Sequence, residues 1–432
     1  MKRKWWIVGI LVFLELLVCL ALSLTLWAGR TAFGGVRFFY RADTHVKETV
    51  EETFLVDGPA VLDLEAVSGN VTVTGGSEDK VQVTARLSLW GADEEDARQQ
   101  VDVQMTQEGN HITIRVVRPE WVYIFASTRS PQVDFEVRVP SETSLQLASS
   151  SGDLAVSDVI GTVDLQTVSG NIRVENVDGA MSVRSSSGDV TLVGLNNAGD
   201  MGVRTVSGDV ELRDVTADSL TAHTSSGKFT LIGLSDAGDG EVRTISGDVK
   251  LQDVTGHSLT VYTSSGKIQL DEGTLSGALD LETTSGNVTA VGIRAISYRL
   301  HSSSGDLTLD GCSGPLDMRT VSGRIEVENG AEAKLAIETS SGKIQFSGSL
   351  YTQGEHRVKS VSGDVSLVLP ANAAFDLDIE TVSGSIQTEF PVTMTQFDKK
   401  HVVGEVNGGG PLLRINTSSG DITLGSATGE SN

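Results

Sequence analysis

Val206-Ser207-Gly208-Asp209-Val210-Glu211-Leu212-Arg213, a polar break over residues 214–219, then Leu220-Thr221-Ala222-His223-Thr224-Ser225-Ser226-Gly227: this stretch decides the fold. Residues 209–213 and 220–224 alternate apolar and polar side chains, the pattern of a strand with one face inward. One unit of about nineteen residues therefore supplies two short strands and two turns. Its Ser-Gly pair recurs from Ser151-Gly152 to Ser383-Gly384, with glycines at Gly170, Gly188, Gly208, Gly227, Gly247, Gly266, Gly286, Gly305, Gly323, Gly342 and Gly363, always 18 to 21 residues apart. Ser68-Gly69 and Ser419-Gly420 share the pattern beyond longer insertions. A fixed short period marks a solenoid, in which each unit buries its apolar face only against its neighbours. The expectation is an all-β protein, a β-solenoid of the β-helix or β-roll type, preceded by one transmembrane helix.

The turn glycines are expected to supply positive φ between strands. Asp or Asn often follows, as at Asp153, Asn171, Asp189 and Asp209, and the serine is expected to bond the backbone or the next coil. A second period overlies the first: the residue before the serine runs Val168, Ser186, Val206, Ser225, Ile245, Ser264. Comparing residues 187–223 with 226–262, 23 of 37 positions are identical, so a double unit of roughly 39 residues reads as the duplicated block. Charge favours the shorter coil. Stacked at about nineteen residues, Asp209, Lys228, Asp248 and Lys267 alternate in sign, whereas 39-residue coils would set Asp on Asp and Lys on Lys.

A thin core of Val, Ile, Leu and Thr suits a chain with only 5% aromatics and 47 glycines. The formal charge of −24 argues against a nucleic-acid partner, which needs a basic field. Cys19 and Cys312 give no disulfide framework. After Met1-Lys2-Arg3-Lys4, the mostly apolar run from Trp5 to Ala28, with tryptophans at both edges, has the length of a bilayer-spanning helix. The basic head places the amino terminus in the cytoplasm and the repeats outside.

The expected organisation is a head and anchor at 1–29, a juxtamembrane stalk at 30–50, an N-terminal β cap region at 51–140 with a short helix over residues 92–100, solenoid repeats at 141–388, a C-terminal cap at 389–425 and a tail at 426–432.

The seven histidines never take a metal-ligand spacing, the nonapeptide of calcium β-rolls is absent, and no nucleophile elbow or phosphate loop occurs. The reading carries no cofactor, metal or catalytic residue. One column invites a binding hypothesis: Arg184, Arg204, His223, Arg243 and Tyr262 are expected to point outward and stack at strand separation. Such a cationic and aromatic stripe would hold an anionic envelope polymer or glycan by charge-assisted hydrogen bonds and ring contacts.

Val137-Arg138-Val139-Pro140 leading through Leu145-Gln146-Leu147 to Ser150-Ser151-Gly152-Asp153, the Thr-x-Ser-Gly-Asp repeats, and Asn407-Gly408-Gly409-Gly410-Pro411 running on to Ser419-Gly420-Asp421-Ile422 resemble the bacterial "putative adhesin" family of β-strand-repeat envelope proteins, a domain of unknown function. The likeness covers roughly residues 50–425. It implies a β-solenoid outside the cytoplasm with no defined chemistry, sometimes linked to envelope-stress systems. The functional expectation is a membrane-anchored, non-catalytic, adhesin-like or polymer-binding surface. A structural scaffold, or a stress-response partner of another membrane protein, is the alternative.

Overall fold

The computed structural model describes residues 36–38, 42–118, 122–124, 130–196 and 198–427. The expected anchor at 1–29, part of the stalk and most of the tail lie outside the described residues. Among the described residues no helix is long and apolar enough to cross a membrane.

Parallel pairing joins each strand to the one about nineteen residues on. Met201 pairs Leu220, and Leu220 pairs Gly240; Val210 pairs Phe229, and Phe229 pairs Val249. The coil is thus the shorter of the two lengths, and the 39-residue block spans two coils. Strands such as Asp200–Ser207 form one wall and strands such as Val210–Thr216 the other. Val203, Ala222, Val242 and Val261 stack inside against Leu212, Leu231 and Leu251, all almost fully buried. A core this thin is sealed only by its neighbours above and below, which is why the repeat must continue.

The turn glycines are required for a reason other than the one expected. Of the eleven from Gly170 to Gly363, only Gly188 and Gly342 have φ in the left-handed range, at +155° and +158°. What they share is close stacking: a Cβ built at Gly266 would lie 1.9 Å from the carbonyl oxygen of Gly247 in the preceding coil, and the contacts at the other ten are 1.8–2.0 Å. The left-handed requirement sits at the opposite corner, in the polar break, where Asp214 has φ 52° and Gly233 in the next coil 74°. Asp, Asn and Gly are the residues that tolerate it.

The polar columns also have specific partners. Asp189 Oδ1 accepts from the backbone N–H of Asp209 at 2.9 Å, and Asp209 Oδ1 from that of Lys228 at 2.8 Å. Each Asp or Asn after the glycine thereby ties its coil to the next through the backbone, so Asp on Asp is tolerated there. In the later coils a hydroxyl that bonds across coils belongs to the buried residue two positions before the serine: Thr263 Oγ1 donates to the Gly247 carbonyl and Thr283 Oγ1 to that of Gly266, both at 3.2 Å. At Thr167, Ser185, Thr205, Thr224 and Thr244 the same hydroxyl is buried without a hydrogen-bond partner among the described residues.

Both ends are threaded out of chain order. Strand Ala60–Ser68 lies between His111–Val117 and Thr143–Ser151. Strand Leu412–Ser419 lies between Glu355–Ser362 and Phe375–Ser383. Residues 389–425 thus comprise two parts: an antiparallel hairpin, Val392–Asp398 and His401–Val406, laid on Phe375–Ser383, and a coil inside the stack. Arg414 fixes that coil on both sides, bonding Glu355 Oε1 at 2.6 Å and Asp378 Oδ2 at 3.1 Å, while His401 Nε2 reaches Asp378 Oδ1 at 3.0 Å. Burial alone would raise the Asp378 carboxyl, but the bonds from His401 and Arg414 hold it below its ordinary value. At the other end, antiparallel strands Thr44–Leu55 and Lys80–Gly91 close the stack. Beside them a short helix, Glu94–Arg98, is capped by Asp93.

Candidate binding face

The outward positions of the wall that contains Asp200–Ser207 form long columns, because parallel, in-register stacking repeats each position coil after coil. Arg184 pairs Arg204, Arg204 pairs His223, His223 pairs Arg243 and Arg243 pairs Tyr262. All five residues named from the sequence are therefore neighbours in one column. The column continues through Glu282, His301, Arg319, Glu338 and Lys359 to Asn416.

Its charge is partly balanced by the adjacent outward column. Arg184 Nη1 lies 3.2 Å from Asp164 Oδ1, Arg243 is paired with Glu241, and His223 Nε2 sits 3.7 Å from the same glutamate. These arginines are more than half exposed, so such pairs contribute only about 0–1 kcal/mol each and can be exchanged for another anion. Arg204 differs: among the described residues no carboxylate pairs with it, and its Nη2 lies 3.3 Å from His223 Nδ1. It is the cation of this stripe that is least committed to the protein's own acids.

The same wall is hollowed. A concavity of about 570 Å³ is lined by Arg184 and Arg204 together with Val67, Val168 and Val206. A second, of about 640 Å³, lies farther along the stack, where Arg299, Arg319, Lys334, Arg357 and Lys359 face Asp280, Asp317, Glu338 and Glu355. Arg299 bonds Asp280 at 3.2 Å, Arg319 bonds Asp317 at 2.8 Å and Lys359 bonds Glu338 at 3.1 Å. Lys334 has no such partner among the described residues. Sequence reasoning did not single out Arg299 or Arg357. Their signal was present, since each lies two residues before a member of the stripe, His301 or Lys359, and so faces the same way. Among the described residues no group of three or more His, Cys, Asp or Glu is arranged to hold a metal ion.

Stacked two-wall coils, a charged hollow wall and antiparallel strands laid on each end define a parallel β-solenoid that presents one extended face. The chain belongs to the Toastrack DUF4097 family, whose model matches residues 60–255, 178–314 and 252–425. No curated protein matches it. Among solved structures it is similar to a "putative cell adhesion protein" from Clostridium sporogenes, at 8% identity over 88% of this chain and 100% of that one, with a TM-score of 0.17. It is also similar to a "putative adhesin" from Bacteroides fragilis, at 9% identity over 89% of this chain and 99% of that one, with a TM-score of 0.19.

Proposed function

We propose that this solenoid is a non-catalytic, adhesin-like surface held outside the cytoplasmic membrane by the apolar segment of residues 5–28, and that it binds an anionic envelope polymer or glycan along the Arg184–Tyr262 stripe. The observation that carries the reading is the in-register stacking of Arg184, Arg204, His223, Arg243 and Tyr262 on a hollow wall, with Arg204 lacking a carboxylate partner. A polymer with regularly spaced anions can follow such a column for many coils, gaining strength from many weak contacts. A non-catalytic role is favoured because the acids of this wall recur coil by coil beside cations instead of converging on one point. The antiparallel strands that cover the amino-terminal end and one wall of the carboxyl-terminal end speak against end-to-end growth as a scaffold.

The test is retention of the protein on purified cell wall at low and physiological salt. Replacing Arg204, His223 and Arg243 together by serine is expected to abolish salt-sensitive retention; unchanged retention would sink the reading.

A further inference from the structure

The residue before each turn serine points outward, and its identity alternates in space more strictly than along the chain. Val168, Ser186, Val206, Ser225, Ile245 and Ser264 stand on consecutive coils, flanked by paired positions such as Thr167 with Ser185 and Ser169 with Ser187. The aliphatic members are unusually exposed: Val168, Val206, Ile245, Val321, Val361 and Val382 range from 44% to 71%. In chain order the turn after Val361 is preceded by Val382, two valines in succession. In the stack Ser418 stands between them, because Ser362 and Ser383 both pair with Ser419. Duplication of a 39-residue block explains alternation along the chain but not its survival where the chain is threaded out of order. The alternation belongs to the surface, as aliphatic knobs roughly 9.5 Å apart with serine gaps between neighbours, interrupted once where Thr284 takes the place of a knob between Ile245 and Val321.

We propose that this row is a self-association surface on which a second copy of the chain lies antiparallel, each aliphatic side chain seated over a serine of the other. A row of large and small side chains with this period becomes its own complement when shifted by one coil. A second copy has the same pitch and stays in step over many coils, which no unrelated surface is bound to do. Charge sets the direction. The adjacent column is cationic at Arg184, Arg204 and Arg243, whereas its other half carries Glu282, Glu338 and Glu380 against Arg319 and Lys359 and is net acidic. Antiparallel packing brings the two halves together, whereas parallel packing would set like on like. The overall charge of −24 opposes approach, so association is expected to be weak and strengthened by salt. This goes beyond the polymer-binding reading, and the variants below leave Arg204, His223 and Arg243 in place, so either can fail alone.

The experiment is sedimentation velocity of the full chain in detergent across a wide concentration range at low and high salt. The expected result is a monomer–dimer equilibrium that salt favours. Val206→Asp combined with Val321→Asp should weaken it by about tenfold or more, because burying the new carboxylates is costly. The decisive variant is Ser225→Val with Ser264→Val. It makes the row more apolar yet fills the gaps, and interdigitation requires that it too lose the dimer. Stronger association of that variant would mean indiscriminate stickiness and overturn the proposal, as would a monomer at every concentration or a dimer indifferent to Val206 and Val321. Unchanged melting temperatures of these surface variants would show that the fold is intact.

Discussion

Ser419 sits between Ser362 and Ser383, pairing with both, although 57 residues of chain separate it from the first and 36 from the second. Residues 412–427 are therefore an interior coil. Leu413, Ile415, Ile422 and Leu424 are fully buried in it, each contributing about 1.5–3 kcal/mol on burial. Ending the chain at residue 410 should accordingly free residues 375–406 as well. Limited proteolysis would show new cleavage between 371 and 410, whereas a coil that was only a terminal layer would leave that region protected.

Gly266 and Gly202 separate close stacking from ordinary glycine use. A methyl at Gly266 meets the Gly247 carbonyl at 1.9 Å, while one at Gly202 meets nothing within 4 Å. Gly266→Ala should destabilise the protein by about 1–3 kcal/mol or more. Gly202→Ala should stay within about 0.5 kcal/mol of the parent. Thermal denaturation of the pair checks this, and equal effects would remove stacking as the reason for the glycine column.

His356 gives the fold an acid-side slope. It is fully buried in the core, donating from Nε2 to the Tyr351 carbonyl at 2.9 Å and accepting at Nδ1 from the Leu335 N–H at 3.3 Å. Burial pushes its pKa down against the bond to Tyr351, and nearby Lys334 adds to the fall. Above the unfolded value of about 6.5 the ring is neutral in both states and costs nothing. Below that the unfolded chain takes up a proton that the fold refuses, so stability should fall with pH until the folded value is passed. His356→Leu should remove this part of the slope while costing about 1–3 kcal/mol at neutral pH, since two backbone groups lose their partner. Urea titrations at pH 7.5 and 5.5 would measure both, and an unaltered slope in the variant would assign it elsewhere.

Cys312 is buried, and its thiol is pushed up to about 12, chiefly by burial and then by Asp310. Reactivity follows the thiolate. Alkylation of this residue at neutral pH should therefore track global unfolding in denaturant. Rapid labelling of the native protein would show that its coil opens locally.

The coil and its outward column are legible in the sequence because both rest on periodicity: Ser-Gly spacing alone sets Arg184, Arg204, His223, Arg243 and Tyr262 one above another, as the strand pairing does. The threading of the ends was not legible. The Ser-Gly signature fits any coil at any level, so nothing at Ser419 states which neighbours it joins. The acids that temper the stripe were hidden differently. Glu241 reaches His223 from the following coil and Asp164 reaches Arg184 from the preceding one, contacts that exist only once the stacking register is fixed. The glycine column is legible in its place but not in its cause, because the demand common to all its members comes from a carbonyl in another coil, with a left-handed φ added only at Gly188 and Gly342.

The interposed coil also orders events in time. Strand Phe375–Ser383 is synthesised before Leu412–Ser419, the strand it must rest on, and the coil already formed, with Ser362 at its turn, offers the same Ser-Gly column as a competing seat. During synthesis this end of the protein must therefore wait or reopen, and completion of the stack becomes a late event that reports on the arrival of residue 427.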